Sequence, residues 1–105
     1  MQAMNPLDRY QRFVAWGNSG SAEDVDNLMQ ALLLQDDLAT TKLVDFALGL
    51  VSGHPGSQRI AHYLLNGALI QRNFAALYFK RRGSMTLLEE ALAAGKIDRE
   101  QAFSK

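Results

Sequence analysis

The 105-residue chain contains no cysteine, which excludes disulfide frameworks, thiolate metal sites and cysteine nucleophiles. A cysteine-free composition is typical of a reducing compartment. No apolar run approaches the roughly 20 residues that span a bilayer. Residues 1–6 also lack the basic region and the apolar core of a signal peptide. We therefore expect a soluble, cytoplasmic protein that does not enter a membrane.

Histidine is the commonest general base and metal ligand among side chains, and it occurs only twice. His54 lies in the glycine-containing break over residues 52–57, and no carboxylate stands three or four positions after His62. A zinc site needs three or four convergent ligands. A serine nucleophile beside His54 would need an orienting group and oxyanion donors as well. The sequence thus predicts no metal, no cofactor and no catalytic residue, and a small enzyme built on the His54 and His62 region is the remotest alternative.

An excess of positive charge is also missing, because eleven basic residues balance eleven acidic ones. The charges are nevertheless divided, with a net −4 over residues 1–53 and a net +4 over residues 54–105. Such asymmetry can indicate a nucleic-acid or other anionic partner, or two halves that attract each other within or between molecules. Bulk attraction to nucleic acid normally needs an overall positive charge. A protein partner or self-association is therefore favoured over nucleic acid.

Helical periodicity runs through every long segment, and none shows sustained alternation of apolar and polar residues. The first helix is predicted over residues 6–16, and Gly17 is expected to end it. Ser21 and Asp24 resemble a capping box with a shorter acid at the start of the second helix. That helix has an apolar face at spacings of three and four residues, formed by Val25, Leu28, Met29 and Leu32.

The third helix is expected to follow Asp36 or Asp37, either of which can cap it. Its apolar face is broad and predicted to be well buried, with Leu43, Phe46, Ala47 and Leu50 at its centre and Val44, Leu48 and Val51 beside them. Residues 52–57 form the strongest predicted break in the chain. Over residues 57–82 we favour one long helix, either kinked or closely packed, over two separate helices.

Two further helices are predicted near the C-terminus. Gly83 is expected to end the long helix, and the next helix begins at Ser84 or Thr86. Gly95 follows that helix, and Asp98 can cap a short last one. The turn between them is expected to place Ile97 in the core.

Five to seven helices joined by short loops predict a single all-α domain over residues 1–105. Two architectures fit this pattern: a compact antiparallel helical bundle, or a short α-solenoid in which helix hairpins are stacked. A chain of this length buries roughly two-thirds of its unfolded surface, so its fold requires neither a disulfide nor a metal.

The most suggestive candidate surface is the predicted helix over residues 72–82, which combines aromatic and basic side chains. Aromatic and basic groups together can clamp nucleic-acid strands, although cations at a helix C-terminus also complement the helix dipole. An exposed aromatic residue near the chain end would indicate an interface. We assign partner binding to Arg72, Phe79, Lys80, Arg81, Arg82 and Phe103.

A weaker site for an anion is predicted at the start of the helix that follows the break over residues 52–57. Residues 49–57 are rich in glycine but lack the lysine and the preceding strand that a phosphate-binding P-loop requires. Backbone amides at a helix start can still hold an anion, and the residues expected to do so are Gly56, Ser57 and Arg59.

These patterns predict a noncatalytic helical domain for protein–protein interaction. It would act as an adaptor, as an inhibitor or immunity-type partner, or as a homo-oligomeric module. The alternative is a nucleic-acid-binding protein that uses the basic and aromatic helix over residues 72–82.

Overall fold

Seven α-helices make up the part of the chain that the structure describes. A computed structural model of the protein describes residues 6–35 and 37–103, and no strand occurs in these ranges. The prediction of an all-α fold with five to seven helices is confirmed. No helix in the described ranges is both long and apolar enough to cross a membrane. The helices are α1 Pro6–Ser19, α2 Ala22–Leu34, α3 Leu38–Gly49, α4 His54–Asn66, α5 Leu69–Arg81, α6 Met85–Ala93 and α7 Arg99–Phe103.

The chain divides into two compact units, unit 1 over Met1–Ser57 and unit 2 over Gln58–Lys105. Within unit 1, each of α1, α2 and α3 contacts the other two helices. Within unit 2, the same is true of α5, α6 and α7. Three helices that all contact one another around shared apolar residues form a small bundle, which is the architecture found inside each unit.

In unit 1, α1 and α3 run side by side in the same direction. Arg9 on α1 donates a hydrogen bond to Thr40 near the start of α3, and Gly17 lies against Ala47 near its end. The prediction that Gly17 ends the first helix is wrong, because α1 continues to Ser19. A Cβ atom at position 17 would lie only 2.2 Å from the carbonyl oxygen of Ala47. Glycine at this position therefore permits close approach of two helices.

The start and the buried face of α2 agree with the sequence prediction. The Ser21 hydroxyl accepts a hydrogen bond of 3.1 Å from the Asp24 amide, which satisfies a backbone donor that the helix itself cannot pair. The four residues of the predicted apolar face are all fully buried, with at most 1% of their surface exposed: Val25, Leu28, Met29 and Leu32.

Asp37 caps α3, as predicted; Asp36, the other candidate, lies outside the described residues. The Thr40 amide donates a hydrogen bond of 2.8 Å to the Asp37 carboxylate. This hydrogen bond is the main reason that the pKa of Asp37 lies below its usual value, and the nearby Arg9 charge lowers it further.

The charge on Asp37 should make stability depend on pH in the acid range. Asp37→Asn keeps a side chain that can cap the helix but removes the charge. Because folding lowers the pKa, the charged carboxylate adds stability above the unfolded-state pKa, and this stability is lost as the pH falls through the folded-state value. We expect wild type to melt at a higher temperature than Asp37→Asn at neutral pH and at nearly the same temperature at about pH 2. An equal difference at both pH values would contradict this account.

The buried face of α3 differs from the prediction. Phe46 was expected in the core but is 49% exposed, and Leu43 and Leu50 are only half-buried. The Phe46 ring stacks on that of Tyr10, with ring centroids 6.1 Å apart at the surface of unit 1. The face that packs inward is turned toward the neighbouring positions Thr40, Val44, Ala47 and Leu48.

The break predicted over residues 52–57 is shorter in the structure, because α4 already begins at His54. Pro55 is tolerated in the first turn of a helix, where its missing amide hydrogen is not needed. Gly56 is buried there, and the Ser57 amide donates a hydrogen bond of 3.0 Å to the carbonyl oxygen of Gly53.

The interpretation of residues 57–82 as one long helix is wrong, since two helices, α4 and α5, meet near Gly67. The Gly67 amide donates to the carbonyl oxygen of Tyr63 and ends α4. The buried Gln71 side chain accepts a hydrogen bond of 2.8 Å from the Ala68 amide at the start of α5. A buried side-chain amide thus satisfies the backbone, so the break does not need an exposed polar loop.

In unit 2, Gly83 ends α5 as predicted. Its φ of 68° is in the left-handed region that glycine adopts without strain. The Ser84 amide donates to the carbonyl oxygen of Phe79, and the Gly83 amide donates to that of Lys80. These two hydrogen bonds form a Schellman motif, which turns the chain into α6.

The last helix, α7, also begins as predicted. The Gln101 amide donates to the Asp98 carboxylate at 2.8 Å, and the Asp98 amide donates to the Gln101 side chain at 2.9 Å. This reciprocal pair is a capping box. Ile97, just before it, is buried in agreement with the prediction.

Candidate functional site

Three consecutive cations form the end of α5, and we call Lys80, Arg81 and Arg82 the basic corner. Lys80 and Arg81 belong to the last helical turn, and Arg82 follows as the C-terminal cap residue. Arg81 and Arg82 are exposed, whereas Lys80 is half-buried. The carbonyl oxygens at a helix C-terminus carry partial negative charge, which favours cations at this position. The guanidinium carbon of Arg82 lies 3.7 Å from the Tyr78 ring centroid, a cation–π contact.

Phe79 does not belong to this surface. The sequence assigned it to partner binding, but it is only 3% exposed, as is Tyr78 beside it. The two rings meet edge to face, with centroids 5.0 Å apart. Both rings pack in the apolar interior beside α5. Buried rings cannot stack on a nucleic-acid base, so the candidate surface keeps its cations and loses its aromatic platforms.

Arg72 is bound within unit 2. Its Nε donates a hydrogen bond of 2.8 Å to the carbonyl oxygen of Lys96, and its Nη1 donates one of 2.8 Å to that of Gly67. Gln101 of α7 in turn donates to Asn73 beside it. Charged donors to backbone carbonyls are among the stronger protein hydrogen bonds. Arg72 therefore joins α5 to the turn before α7, a structural task that its sequence assignment to a partner did not anticipate.

Phe103, the last described residue, has 44% of its surface exposed on α7. An exposed aromatic residue at this position is typical of an interface. Its exposure keeps it available as a contact residue, and partner binding by Phe103 stays a prediction.

The residues predicted to hold an anion are all placed on α4. A Cβ atom at Gly56 would lie 2.6 Å from the Gly20 carbonyl oxygen, so close backbone packing accounts for this glycine. The Ser57 amide is already paired inside the helix. The Arg59 guanidinium lies 5.5 Å from the Tyr63 ring centroid. Of the amides expected to face an anion, the one at Ser57 is therefore engaged by the helix.

His54 and His62, the residues of the enzyme alternative, both lie on α4, and both are exposed. His62 makes an edge contact with Tyr63, with ring centroids 5.5 Å apart, and its carbonyl oxygen accepts a hydrogen bond from Asn66. In the described ranges, no group of three or more acidic or histidine side chains is arranged to hold a metal ion.

Unit 1 exposes large apolar side chains that the sequence argument did not assign to a surface. Tyr10 and Phe46 form the exposed ring pair already described, and other exposed side chains lie on the same three helices. The signal in the sequence was the breadth of the apolar faces, since α2 and α3 contain more large apolar side chains than the structure buries. The exposed large apolar residues of unit 1 are Leu7, Tyr10, Leu33, Leu34, Leu38 and Phe46.

Unit 1 also contains a groove of about 540 Å³ that sequence reasoning missed. Its lining comes from all three helices of the unit, with residues that are up to 31 positions apart in the chain, so no local motif could identify it. We call it the arginine–tryptophan groove, and its main lining residues are Arg9, Arg12, Phe13, Trp16, Gln30 and Leu34.

Comparison with known proteins gives no relative from which a function could be transferred. No protein-family model, no curated protein and no solved structure matches this chain.

Proposed function

We propose that the protein is a noncatalytic helical domain that binds an acidic protein surface through the basic corner of unit 2. The observation that carries this proposal is the agreement between the division of charge and the division of structure. Residues 54–57 carry no charge, so unit 1 has a net charge of −4 and unit 2 a net charge of +4. Opposite charges that are separated between two structural units give each unit an electrostatic preference for a different partner surface.

The basic corner supplies the contact because its charges are concentrated and exposed. Two exposed arginines stand beside a half-buried lysine at one helix end. Arginine binds carboxylates through two parallel hydrogen bonds, which adds orientation to attraction. An acidic protein segment therefore suits this corner.

The proposal has three versions, which differ in the protein that supplies the acidic surface. In an adaptor, or in an inhibitor or immunity-type protein, a different protein supplies the acidic surface. In a homo-oligomeric module, unit 1 of a second copy supplies it, and a symmetric pair would form two such contacts at once.

Nucleic acid is the second candidate partner, and the exposed Arg81 and Arg82 are the observation in its favour. Phosphate contacts would use these cations and would be strongly salt-dependent. The burial of Tyr78 and Phe79 removes the stacking platforms that single-strand binding normally uses. The protein partner therefore remains the first proposal.

Arg81→Glu tests the proposal with Arg99→Glu as its control, because both arginines are exposed in unit 2 and both changes alter the net charge equally. Light scattering at low salt first determines whether the chain self-associates. Titration against a second copy, or against the protein recovered from a nuclease-treated native lysate, then measures affinity. We expect Arg81→Glu to weaken binding about tenfold, equivalent to about 1.4 kcal/mol. Arg99→Glu should change it less than about twofold.

Two results would overturn this proposal. Equal losses for Arg81→Glu and Arg99→Glu would mean that net charge matters and that the basic corner does not. Recovery of partners only when nucleic acid is intact would indicate that the basic corner binds nucleic acid and not a protein.

A further inference from the structure

We infer that the arginine–tryptophan groove of unit 1 binds a small carboxylate that carries an apolar ring or chain. This site lies in the acidic unit and uses none of the residues of the basic corner. The inference therefore goes beyond the interaction proposed above and can succeed or fail independently of it.

The size of the groove suits a small molecule. Its volume of about 540 Å³ falls within the roughly 300–1,000 Å³ that is usual for small-ligand sites. The groove is formed by α1 and α2 and includes Thr40 at the start of α3, so three elements fix its shape. Rigid elements hold a binding geometry more closely than loops do.

An apolar surface is provided by two stacked rings. Phe13 is 7% exposed, Trp16 is half-buried, and their ring centroids are 5.1 Å apart. The Leu34 side chain adds a further apolar wall and is 78% exposed. A flat or extended apolar group that covers these side chains would be removed from water, which favours binding.

The charge of the groove is opposite to that of the unit around it. Unit 1 has seven acidic and three basic residues, yet both charged residues that line the groove are arginines. Arg9 and Arg12 stand one helical turn apart, so their side chains emerge from neighbouring positions on α1. Two guanidinium groups beside an apolar surface form a recognition site for an anion attached to an apolar group.

The Arg9 side chain is held in place before any ligand arrives. It donates a hydrogen bond to the Thr40 hydroxyl, and its guanidinium carbon lies 5.5 Å from the Phe13 ring centroid. Thr40 is itself buried. A donor group that is already ordered loses less entropy on binding than a free side chain does.

A singly charged carboxylate suits the groove better than a phosphate dianion. The Asp37 carboxylate accepts a hydrogen bond from the Thr40 amide, and Arg9 donates one to the Thr40 hydroxyl, so the two charges lie beside the same residue. The negative charge of Asp37 offsets part of the attraction of the two arginines and would repel a second negative charge on the ligand. The side-chain amide of Gln30, also in the lining, can donate one further hydrogen bond.

Trp16 provides a direct measurement, because it is the only tryptophan in the chain and it lines the groove. The full-length protein is titrated with 3-phenylpropionate while Trp16 emission is recorded. The same titration with 3-phenylpropionamide removes the charge, and one with acetate removes the ring. We expect a saturable change with 3-phenylpropionate and at least about tenfold weaker binding of the two controls. A response that does not saturate, or equal binding of the amide, would overturn the inference.

Arg12→Gln tests the charged half of the site. Arg12 is exposed, so the substitution should leave the fold intact, which far-ultraviolet circular dichroism checks. We expect 3-phenylpropionate to bind at least about tenfold more weakly to this variant. Arg99→Gln, at an exposed position in unit 2, and Arg81→Glu in the basic corner should leave the titration unchanged. Unaltered affinity in Arg12→Gln would contradict the site, whereas a failure of the basic corner to bind protein would not affect it.

Discussion

Gly17→Ala is expected to lower the free energy of unfolding by about 3 kcal/mol or more. The added methyl group would lie 2.2 Å from the Ala47 carbonyl oxygen and 3.2 Å from the Leu50 Cβ atom. The nearest atom belongs to the backbone, so α1 and α3 would have to separate to accept the change. Alanine is a better helix former than glycine by about 1 kcal/mol, and the steric cost exceeds this gain.

Gly49→Ala is the matched control for that prediction. Gly49 is the last residue of α3, and no atom outside its own helix backbone and chain neighbours lies within 4 Å of the position that its Cβ would take. This substitution should be neutral or should stabilise the protein by up to about 1 kcal/mol. Urea unfolding followed by circular dichroism measures both variants. Similar unfolding midpoints for Gly17→Ala and Gly49→Ala would contradict the close packing of α1 on α3.

Phe79→Ala is expected to cost about 3–5 kcal/mol of stability. The side chain is 3% exposed and meets the Tyr78 ring, so its removal leaves a cavity and exposes a neighbouring aromatic residue. Thermal unfolding should show a large drop in the melting temperature. A residue that only bound a partner would show no such loss in the isolated protein.

Phe103→Ala is the same chemical change at a surface position and serves as the control for Phe79→Ala. Because 44% of Phe103 is exposed, we expect its removal to change stability by no more than about 0.5 kcal/mol. If Phe103 belongs to the interface, the variant should bind the partner more weakly while it melts almost normally. Comparable stability losses for both variants would contradict the assignment of Phe79 to the interior.

The sequence predicts those parts of the fold that depend on neighbouring residues. Ser21, Asp37 and Asp98 cap helices because their side chains reach amides only three positions later. Gly83 and Gly95 end helices because glycine adopts a positive φ without strain. These signals are local, so the sequence contains all the information that they require.

Features that depend on distant segments could not be read in this way. Glycine is typical of a helix end, and only the close approach of Ala47 explains why Gly17 lies inside α1. The α3 sequence is apolar around most of its circumference, so periodicity alone could not decide whether Phe46 or Val44 faces inward. The break at Gly67 has a local cause, because the Ala68 amide donates to the Gln71 side chain three positions later, but the apolar sequence around Gly67 concealed it.

The candidate sites show the same distinction. The sequence predicts that the cations of the basic corner lie at the end of a helix, and in the structure they lie at the end of α5. Composition could not tell that Phe79 points into the core or that Arg72 is bound to two carbonyl oxygens. The arginine–tryptophan groove depends on the contact between Arg9 and Thr40. These residues are 31 positions apart in the sequence and meet only in the folded unit.

The arrangement of helices within each unit has a consequence for the rate of folding. The helices that contact one another are consecutive or nearly so in the chain, as α1 to α3 are in unit 1 and α5 to α7 in unit 2. Each of these contacts therefore joins segments inside one unit, so its separation along the chain is limited by the length of that unit. Low contact order is associated with folding in microseconds to milliseconds. The two helices of unit 1 that pack on α1 have both been synthesised once α3 is complete, so the core of unit 1 can begin to form while the basic half of the chain is still being translated.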